Sequence, residues 1–206
     1  MFTDDMKRAL DAPLSQKNVK NRSQSGRTLS YIEGWMAIAE ANRIFGFDGW
    51  TRETVEIRSV SERERKIGAA QKDGWSVAYI AKVRVTAHGV VREGVGSGHG
   101  IDVDLGQAHE SAIKEAETDA MKRALMTFGN PFGLALYDKE QTNVSNAPSS
   151  DEMMFADRTL GVAAEKGLAA LKAAWTKLSP EVREAMGGTA PERFKKVAMA
   201  KDGVAA

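Results

Sequence analysis

The sequence predicts an α+β fold, in which an antiparallel three-stranded β-meander packs on one long α-helix (a β-β-β-α core) and a small helical module follows. Two observations indicate the core. Three segments rich in β-branched or alternating apolar residues follow one another, and their connections are too short for helical crossovers. Residues 107–128 then carry alanine at every fourth position, which is typical of a helix with one closely packed face.

The first predicted helix of the core runs from Tyr31 to Phe45, where apolar side chains recur at three- and four-residue spacing. Ser30 is positioned as its N-cap, and Glu33 completes a capping box. Gly46 is positioned to end the helix. Core positions, rather than base-stacking roles, are predicted for the large aromatic side chains in and after this helix, which are Trp35, Phe45 and Trp50.

The three predicted strands cover residues 51–60, 75–86 and 90–95. Residues 61–74 are charged and polar, and we predict a loop there. The alternating glycines between 94 and 100 are predicted to form a flexible, closely packed link from the sheet to the long helix.

The long helix is predicted to end at Gly129-Asn130-Pro131. We predict a core domain over 1–140, a linker over 141–151, where the composition is polar, and a helical module over 152–206. The apolar face of that module either docks a partner or only closes a small bundle; its main side chains are Leu168, Leu171, Trp175 and Leu178.

The composition of the 206 residues is that of an ordinary globular protein, with 42% hydrophobic residues and a net charge of +1. Without cysteine the chain has no disulfides or thiolate metal sites. No apolar run is long enough to span a bilayer, and the N-terminus is too polar for a secretory signal, so we expect a cytoplasmic protein.

No enzymatic motif is present in the sequence. A P-loop is missing, the glycines of GVGSGHG do not match the dinucleotide-binding spacing, and Ile113 stands where a zinc-protease helix starting at His109 would need its second histidine. A surface or capping role is predicted for His109. We therefore expect neither catalytic residues, nor a metal site, nor a cofactor.

Five motifs occur in a fixed order: YIEGW at 31–35, NRIFGFDGW at 42–50, KEAETDAMKRAL at 114–125, FGNPFG at 128–133 and YDK at 137–139. In these motifs the chain resembles the Rad52 family of single-strand DNA annealing proteins. The resemblance covers roughly residues 19–139. It implies ATP-independent binding of single-stranded DNA and annealing of complementary strands, in homologous recombination and DNA repair, by a ring or helical filament of subunits.

The resemblance also implies DNA contacts for an arginine before YIEGW, the tyrosine of that motif and the Lys-Arg pair late in the long helix. These positions are Arg22, Tyr31, Lys122 and Arg123. Lys122 and Arg123 point about 100° apart on a helix and could hold successive phosphates. Read without the resemblance, they are a solvated helix end favoured by the helix dipole.

Two further groups of basic residues are DNA-binding candidates. Lys20 and Arg27 belong to residues 17–29, a stretch with no acid that is either part of the DNA groove or a solvated N-terminal arm. Lys66 and Lys72 are candidates for a second DNA site, because the second-site lysine that the family carries just before the long helix has no clear counterpart here.

The leading functional hypothesis is therefore a DNA-annealing protein of bacterial or phage type, associated with the nucleoid. The alternative is a protein that coats and protects single strands without pairing them. A nuclease would need clustered acids that bind metal. The expected partners are single-stranded DNA, further copies of the chain and, through the helical module, a single-strand-binding protein or a recombination exonuclease.

Overall fold

The computed structural model describes residues 1–24, 26–148 and 150–204, apart from the side chains of Gln24, Arg27, Ser150 and Val204. The chain divides into two compact units, Met1–Val144 and Ser145–Ala206. The elements, in chain order, are α1 (Asp4–Asp11), β1 (Leu14–Ser15), β2 (Val19–Gln24), β3 (Arg27–Ile32), α2 (Gly34–Phe45), β4 (Trp50–Ile67), β5 (Lys72–Ala87), β6 (Val90–Asp102), α3 (Leu105–Met126), β7 (Val144–Ser145), α4 (Ser150–Ala164), α5 (Leu168–Lys177), α6 (Pro180–Ala185) and α7 (Glu192–Val204).

The first unit contains the predicted antiparallel meander, in the order β4-β5-β6, with α3 packed on it. The predicted loop at 61–74 is wrong. Strand β4 continues to Ile67, and β5 begins at Lys72 after a tight turn. The sequence pattern failed here because β4 is exposed between its two ends, so its charged residues do not alternate with apolar ones.

The alternating glycines are not a link but the inner face of strand β6. A Cβ on Gly94 would lie 2.3 Å from the Ala120 carbonyl oxygen, and one on Gly98 would lie 2.1 Å from the Ala112 carbonyl oxygen. Two strand residues span about 6.8 Å and four helix residues span about 6 Å. The glycines at every second residue of β6 therefore stay nearly in register with the alanines at every fourth residue of α3, and the helix backbone lies directly on the sheet. The alanines of this contact are fully buried: Ala108, Ala112, Ala116, Ala120 and Ala124.

Helix α3 begins and ends about two residues earlier than the predicted range of 107–128. Its N-cap is Asp104, whose carboxylate accepts a hydrogen bond of 2.9 Å from the Gln107 backbone N–H. Asp102 in turn accepts from the Asp104 backbone N–H at 2.9 Å. These two acids therefore order the start of the helix.

Residues 19–32 fold as a β-hairpin rather than as an extended arm followed by a helix. Strands β2 and β3 pair antiparallel, and Val19 and Ile32, which face each other, are both buried. The predicted N-cap at Ser30 is wrong, because its hydroxyl donates across the hairpin to the Asn21 side chain at 2.8 Å. Helix α2 begins only at Gly34 and ends, as predicted, at Gly46, which has a φ of 82°.

A cluster of aromatic rings forms one end of the core of the first unit. Phe45 is buried, as predicted, and its ring stacks on Phe2 and Phe132, with centroid distances of 5.7 and 5.8 Å. Trp50 is half-buried and donates to the Asn42 side chain at 2.9 Å. Trp35 contradicts the prediction, because it is 64% exposed. It lies in the first turn of α2, on the side turned away from the core.

The second unit is built from helices α4, α5, α6 and α7, which share their own core. Helix α4 and strand β7 both begin inside the range predicted as a linker. Leu171 is buried at the centre of this unit, and Trp175 and Leu178 pack against the same core. The sequence leaves open whether these side chains dock a partner or close a small bundle, and in the structure they help to hold the unit together.

Candidate nucleic-acid interface

The β2–β3 hairpin places several of the predicted DNA-binding residues on one face. Lys20 pairs with Tyr31, and Arg22 pairs with Leu29. Because cross-strand partners share a face and side chains alternate along a strand, the side chains of these four residues all lie on the same side. The opposite side carries Val19 and Ile32 and faces the core.

Tyr31 lies between two cations that are distant in the sequence. The Arg22 guanidinium carbon is 5.7 Å from the centre of the tyrosine ring, and the Lys122 Nζ is 5.8 Å from it. Both distances fall within the range of about 6 Å in which a cation is attracted to an aromatic ring. Lys122 Nζ also lies 3.5 Å from the Ile32 carbonyl oxygen. The structure thus brings together three of the four predicted principal contacts.

A glycine allows the hairpin and α3 to approach each other. Gly34 follows directly after the hairpin, and a Cβ at this position would lie 2.8 Å from Thr118 Cγ2 on α3. Tyr31 precedes Gly34 by three residues, and Lys122 follows Thr118 by one helical turn. The close approach at Gly34 therefore brings Tyr31 near Lys122. The glycine of YIEGW therefore allows the hairpin and α3 to pack closely enough for the cluster to form.

In the part of the chain that the structure describes, no acid neutralises the cationic cluster. Within the described ranges, Lys20, Arg22 and Lys122 form no ion pair with a carboxylate, whereas most other cations of the core do. Arg52, for example, pairs with Glu117 at 3.0 Å. Unpaired cations on an exposed face favour an anionic ligand, and a phosphate could accept hydrogen bonds from both the guanidinium and the ammonium group.

Arg123 points away from Lys122 and has a different partner. Its Nε donates to the Asp119 carboxylate at 3.0 Å. This hydrogen bond raises the pKa of Arg123, so the group remains a cation. The contacts of the described residues link Arg123 to α3 and not to the Tyr31 cluster. The other remaining candidate, Arg27, begins β3, but its side chain lies outside the described part of the structure.

Lys66 and Lys72 lie at the tip of the β4–β5 hairpin. In the strand register Lys66 lies opposite Asp73, and Lys72 lies opposite Ile67. Lys66 also forms an ion pair with Asp73. The two lysines therefore project from opposite faces of the hairpin. Thr54, which hydrogen-bonds to Glu117 on α3, lies about 40 Å from Lys66 along the strand, at about 3.3 Å per residue. The tip is thus remote from the Tyr31 cluster.

His109, for which we predict a surface or capping role, has a more specific structural role. Its Nδ1 lies 3.1 Å from the Tyr79 hydroxyl, and its Nε2 lies 3.1 Å from a carboxylate oxygen of Glu62. The ring therefore joins α3 to the two strands β4 and β5. Among the described residues, no three side chains of the types that bind metals come together.

The sequence analysis did not predict the β2–β3 hairpin, on which Lys20, Arg22 and Tyr31 lie. Ser25-Gly26 is a turn dipeptide at the centre of residues 19–32, and it could have indicated the hairpin. Gly26 has a φ of 75°, which suits a tight turn. The many basic residues of this stretch indicated a solvated arm or a groove, so the two buried apolar residues on the other face, Val19 and Ile32, were not recognised as a strand pattern.

Comparisons with known proteins identify the family to which the chain is similar. A family model described as "Rad52/22 family double-strand break repair protein" matches residues 3–155. The chain is 40% identical over 143 residues to "DNA repair and recombination protein RAD52" of Eremothecium gossypii, an alignment covering 66% of this chain and 31% of that protein.

Two further relatives are similar over about the same share of the chain. The protein named RAD52 of Saccharomyces cerevisiae is 38% identical, over 67% of this chain and 29% of the relative. The protein named rad22 of Schizosaccharomyces pombe is 42% identical, over 64% of this chain and 28% of the relative. The chain thus spans about a third of the length of these relatives or less. All three are fungal, so they do not support the expected bacterial or phage origin.

Proposed function

Because the chain belongs to the Rad52/22 family of double-strand break repair proteins, we propose that it binds single-stranded DNA and anneals complementary strands in DNA repair and recombination. The observation that carries this proposal is the Tyr31 cluster, in which Arg22 and Lys122 flank an aromatic ring and lack carboxylate partners among the described residues. The curated relatives, whose names describe DNA repair and recombination, support the same biological role.

The cluster suits binding through the DNA backbone. Arg22 and Lys122 would hold phosphates, with Lys20 extending the cationic face along the hairpin. Phosphate contacts position a strand without reading its sequence and leave its bases free to pair with a second strand. Pairing of complementary bases is favourable by itself, so no nucleotide hydrolysis is required. The protein would contribute by holding the strand extended.

Assembly of several copies would align these clusters into one groove. Strand β4 supports self-association, because it forms an edge of the sheet and 16 of its 18 residues are exposed. Unpaired edges and exposed apolar side chains are common sites of protein association. The exposed apolar residues of this strand are Val55, Ile57 and Val60. We propose a ring or a helical filament as the active form.

A strand-annealing assay tests the proposed activity directly. Complementary oligonucleotides, one carrying a fluorophore and the other a quencher, are mixed with the full chain in the absence of nucleotide. We expect faster pairing than without protein, and sedimentation should show complexes of several chains. A protein that binds single strands tightly but does not accelerate pairing would be a coating protein instead. Cleavage of the oligonucleotides with added magnesium or manganese would indicate a nuclease.

Partner binding is a further part of the proposal. We propose that the second unit recruits a protein that is already present on single-stranded DNA, such as a single-strand-binding protein or an exonuclease. This unit is compact and has its own core, so it can act as an independent module.

Within the described ranges, every helix is too short or too polar to cross a membrane.

A further inference from the structure

The second unit contains a groove that the proposed DNA cluster does not use. The groove has a volume of about 820 Å³ and lies between α4, the end of α6 and the start of α7. Its lining combines apolar side chains with charged ones: Met153, Met154, Asp157, Arg158, Met186, Pro191 and Arg193.

Residue types are distributed unevenly around this groove. Three of the four methionines between 145 and 206 line it. Two of the three arginines in the same range also line it, and the third, Arg183, lies one helical turn before Met186. The Nε of Arg183 is buried and has no hydrogen-bond partner in the described part of the chain. Arg183 does not line the groove, so the arginines that a ligand in the groove would meet are Arg158 and Arg193.

The charges on the groove leave a positive excess. Arg193 forms an ion pair with Asp157, and its guanidinium lies 4.7 Å from the centre of the Phe194 ring. Arg158 is exposed and pairs with no carboxylate in the described part of the chain. Its guanidinium group is therefore available to a ligand, and its planar donors match a carboxylate in a two-point contact.

We propose that this groove binds an acidic peptide segment of a partner protein, with aliphatic side chains on the methionines and carboxylates on the arginines. Methionine is flexible and polarisable, and it adapts to aliphatic side chains of different shapes. No aromatic side chain is among the lining residues, so the groove lacks the surface on which nucleobases stack. The inference rests on the proposed function in one respect, since the partner would be a protein at single-stranded DNA.

The experiment uses the full chain and a fluorescently labelled peptide in which aspartates flank a pair of leucines. The comparison probes are the same peptide with asparagine for aspartate and a labelled single-stranded oligonucleotide. The variants are Arg158→Glu, which reverses the available charge, and Met154→Gln, which changes an exposed apolar contact. The matched control is Lys172→Glu, an equal change of charge at an exposed residue of α5 outside the groove.

The acidic peptide should bind the parent chain and bind more weakly, by about tenfold or more, to Arg158→Glu. Met154→Gln should weaken binding as well, while Lys172→Glu should not. Equal binding of the asparagine peptide, or unchanged binding by Arg158→Glu, would overturn the proposal. So would weaker oligonucleotide binding by Arg158→Glu, which would make the groove a nucleic-acid site. Annealing, measured in parallel, should be unchanged in this variant, so a failure of the annealing proposal is distinguishable from a failure of the groove proposal.

Discussion

Two neighbouring residues of α3, Lys122 and Arg123, show how the direction of a side chain decides its role. They follow one another in the sequence, yet Lys122 reaches the Tyr31 ring while Arg123 is held by Asp119. Positions one residue apart on a helix differ by about 100° in direction. The proposed DNA contact therefore rests on Lys122 more than on Arg123.

Substitution of Lys122 by alanine should weaken binding of single-stranded DNA by about tenfold, because a charged hydrogen bond to phosphate is lost. The log–log dependence of affinity on salt should also become shallower, by about 0.7. Arg123→Ala should have a smaller effect. Fluorescence anisotropy with a labelled oligonucleotide, measured over a range of salt concentrations, gives both quantities.

Lys114→Ala is the matched control for Lys122→Ala. It removes the same charge from the same helix, at an exposed site where the ammonium group pairs with Glu110. Equal losses of affinity in the two variants would mean that net charge, and not the Tyr31 cluster, governs binding.

A second prediction at the residue scale concerns Asp138, in the YDK motif. Its carboxylate accepts hydrogen bonds from the Thr142 hydroxyl, from the Thr142 backbone N–H and from the Glu140 backbone N–H, and these lower its pKa. A carboxyl group with a lowered pKa stabilises the folded state above its unfolded pKa of about 4. This contribution is lost as the pH falls through the folded value.

Asp138→Asn should therefore lower the free energy of unfolding at pH 7, and the difference from the parent chain should shrink as the pH falls below about 4. Denaturant unfolding at both pH values measures the difference. Asp48→Asn serves as the control, because the Asp48 carboxylate accepts no hydrogen bond from the described residues. A pH-independent effect of Asp138→Asn would show that the charge of this carboxylate is not what stabilises the turn.

At the scale of elements, the contact between β6 and α3 organises the core. Glycines on alternate strand residues lie against alanines on every fourth helix residue, and the backbones approach more closely than any larger side chain would allow. This contact holds α3 against the sheet, and α3 in turn presents Lys122 to the hairpin. The geometry of the candidate site therefore depends on residues that do not touch the ligand.

Gly98→Ala should lower the free energy of unfolding by about 2–3 kcal/mol, because the new methyl group would overlap the backbone of α3. Its Cβ would lie 2.1 Å from the Ala112 carbonyl oxygen and 2.3 Å from the Ala116 nitrogen, neither of which can move aside as a side chain can. Chemical denaturation measures the change. Ser97→Ala, at an exposed neighbouring residue of the same strand, should have little effect, and comparable losses in the two variants would argue against the close contact.

At the scale of the whole molecule, the chain consists of two units with separate cores. The family match ends at residue 155, so it covers the first unit and only the beginning of the second. The candidate DNA cluster lies in the first unit, and the groove proposed to bind an acidic peptide lies in the second. This separation suggests that annealing and recruitment can be removed independently.

A chain ending at Val144 should fold, bind single-stranded DNA and anneal bare complementary strands. It should not bind the acidic peptide. Ending at Val144 retains Asn143, whose carbonyl oxygen accepts a hydrogen bond of 2.8 Å from the Leu14 backbone N–H. Circular dichroism, the annealing assay and peptide binding are the measurements. Loss of annealing together with a retained fold would show that the second unit takes part in strand pairing.

Much of the fold could be predicted from the sequence, because local patterns carried the information. Alternation indicated the meander, the alanine repeat indicated α3, and Gly46 indicated the end of α2. The patterns failed where neither face of a segment is buried, as in β4, or where a basic face concealed an apolar one, as in the β2–β3 hairpin. In β4 the failure concerns the part after residue 60, where exposed charged residues follow one another without any apolar alternation.

The sequence by itself determined the fold class, the family resemblance and the candidate residues of the site, because motifs and periodicity are local properties of the chain. Only the tertiary structure decided which candidates lie close together. It brought Arg22 and Lys122, one hundred residues apart, to the ring of Tyr31, and it separated Arg123 and the Lys66–Lys72 pair from them. It also placed Trp175 in a core and Trp35 at the surface. These outcomes depend on which distant surfaces pack together, and no local pattern encodes that.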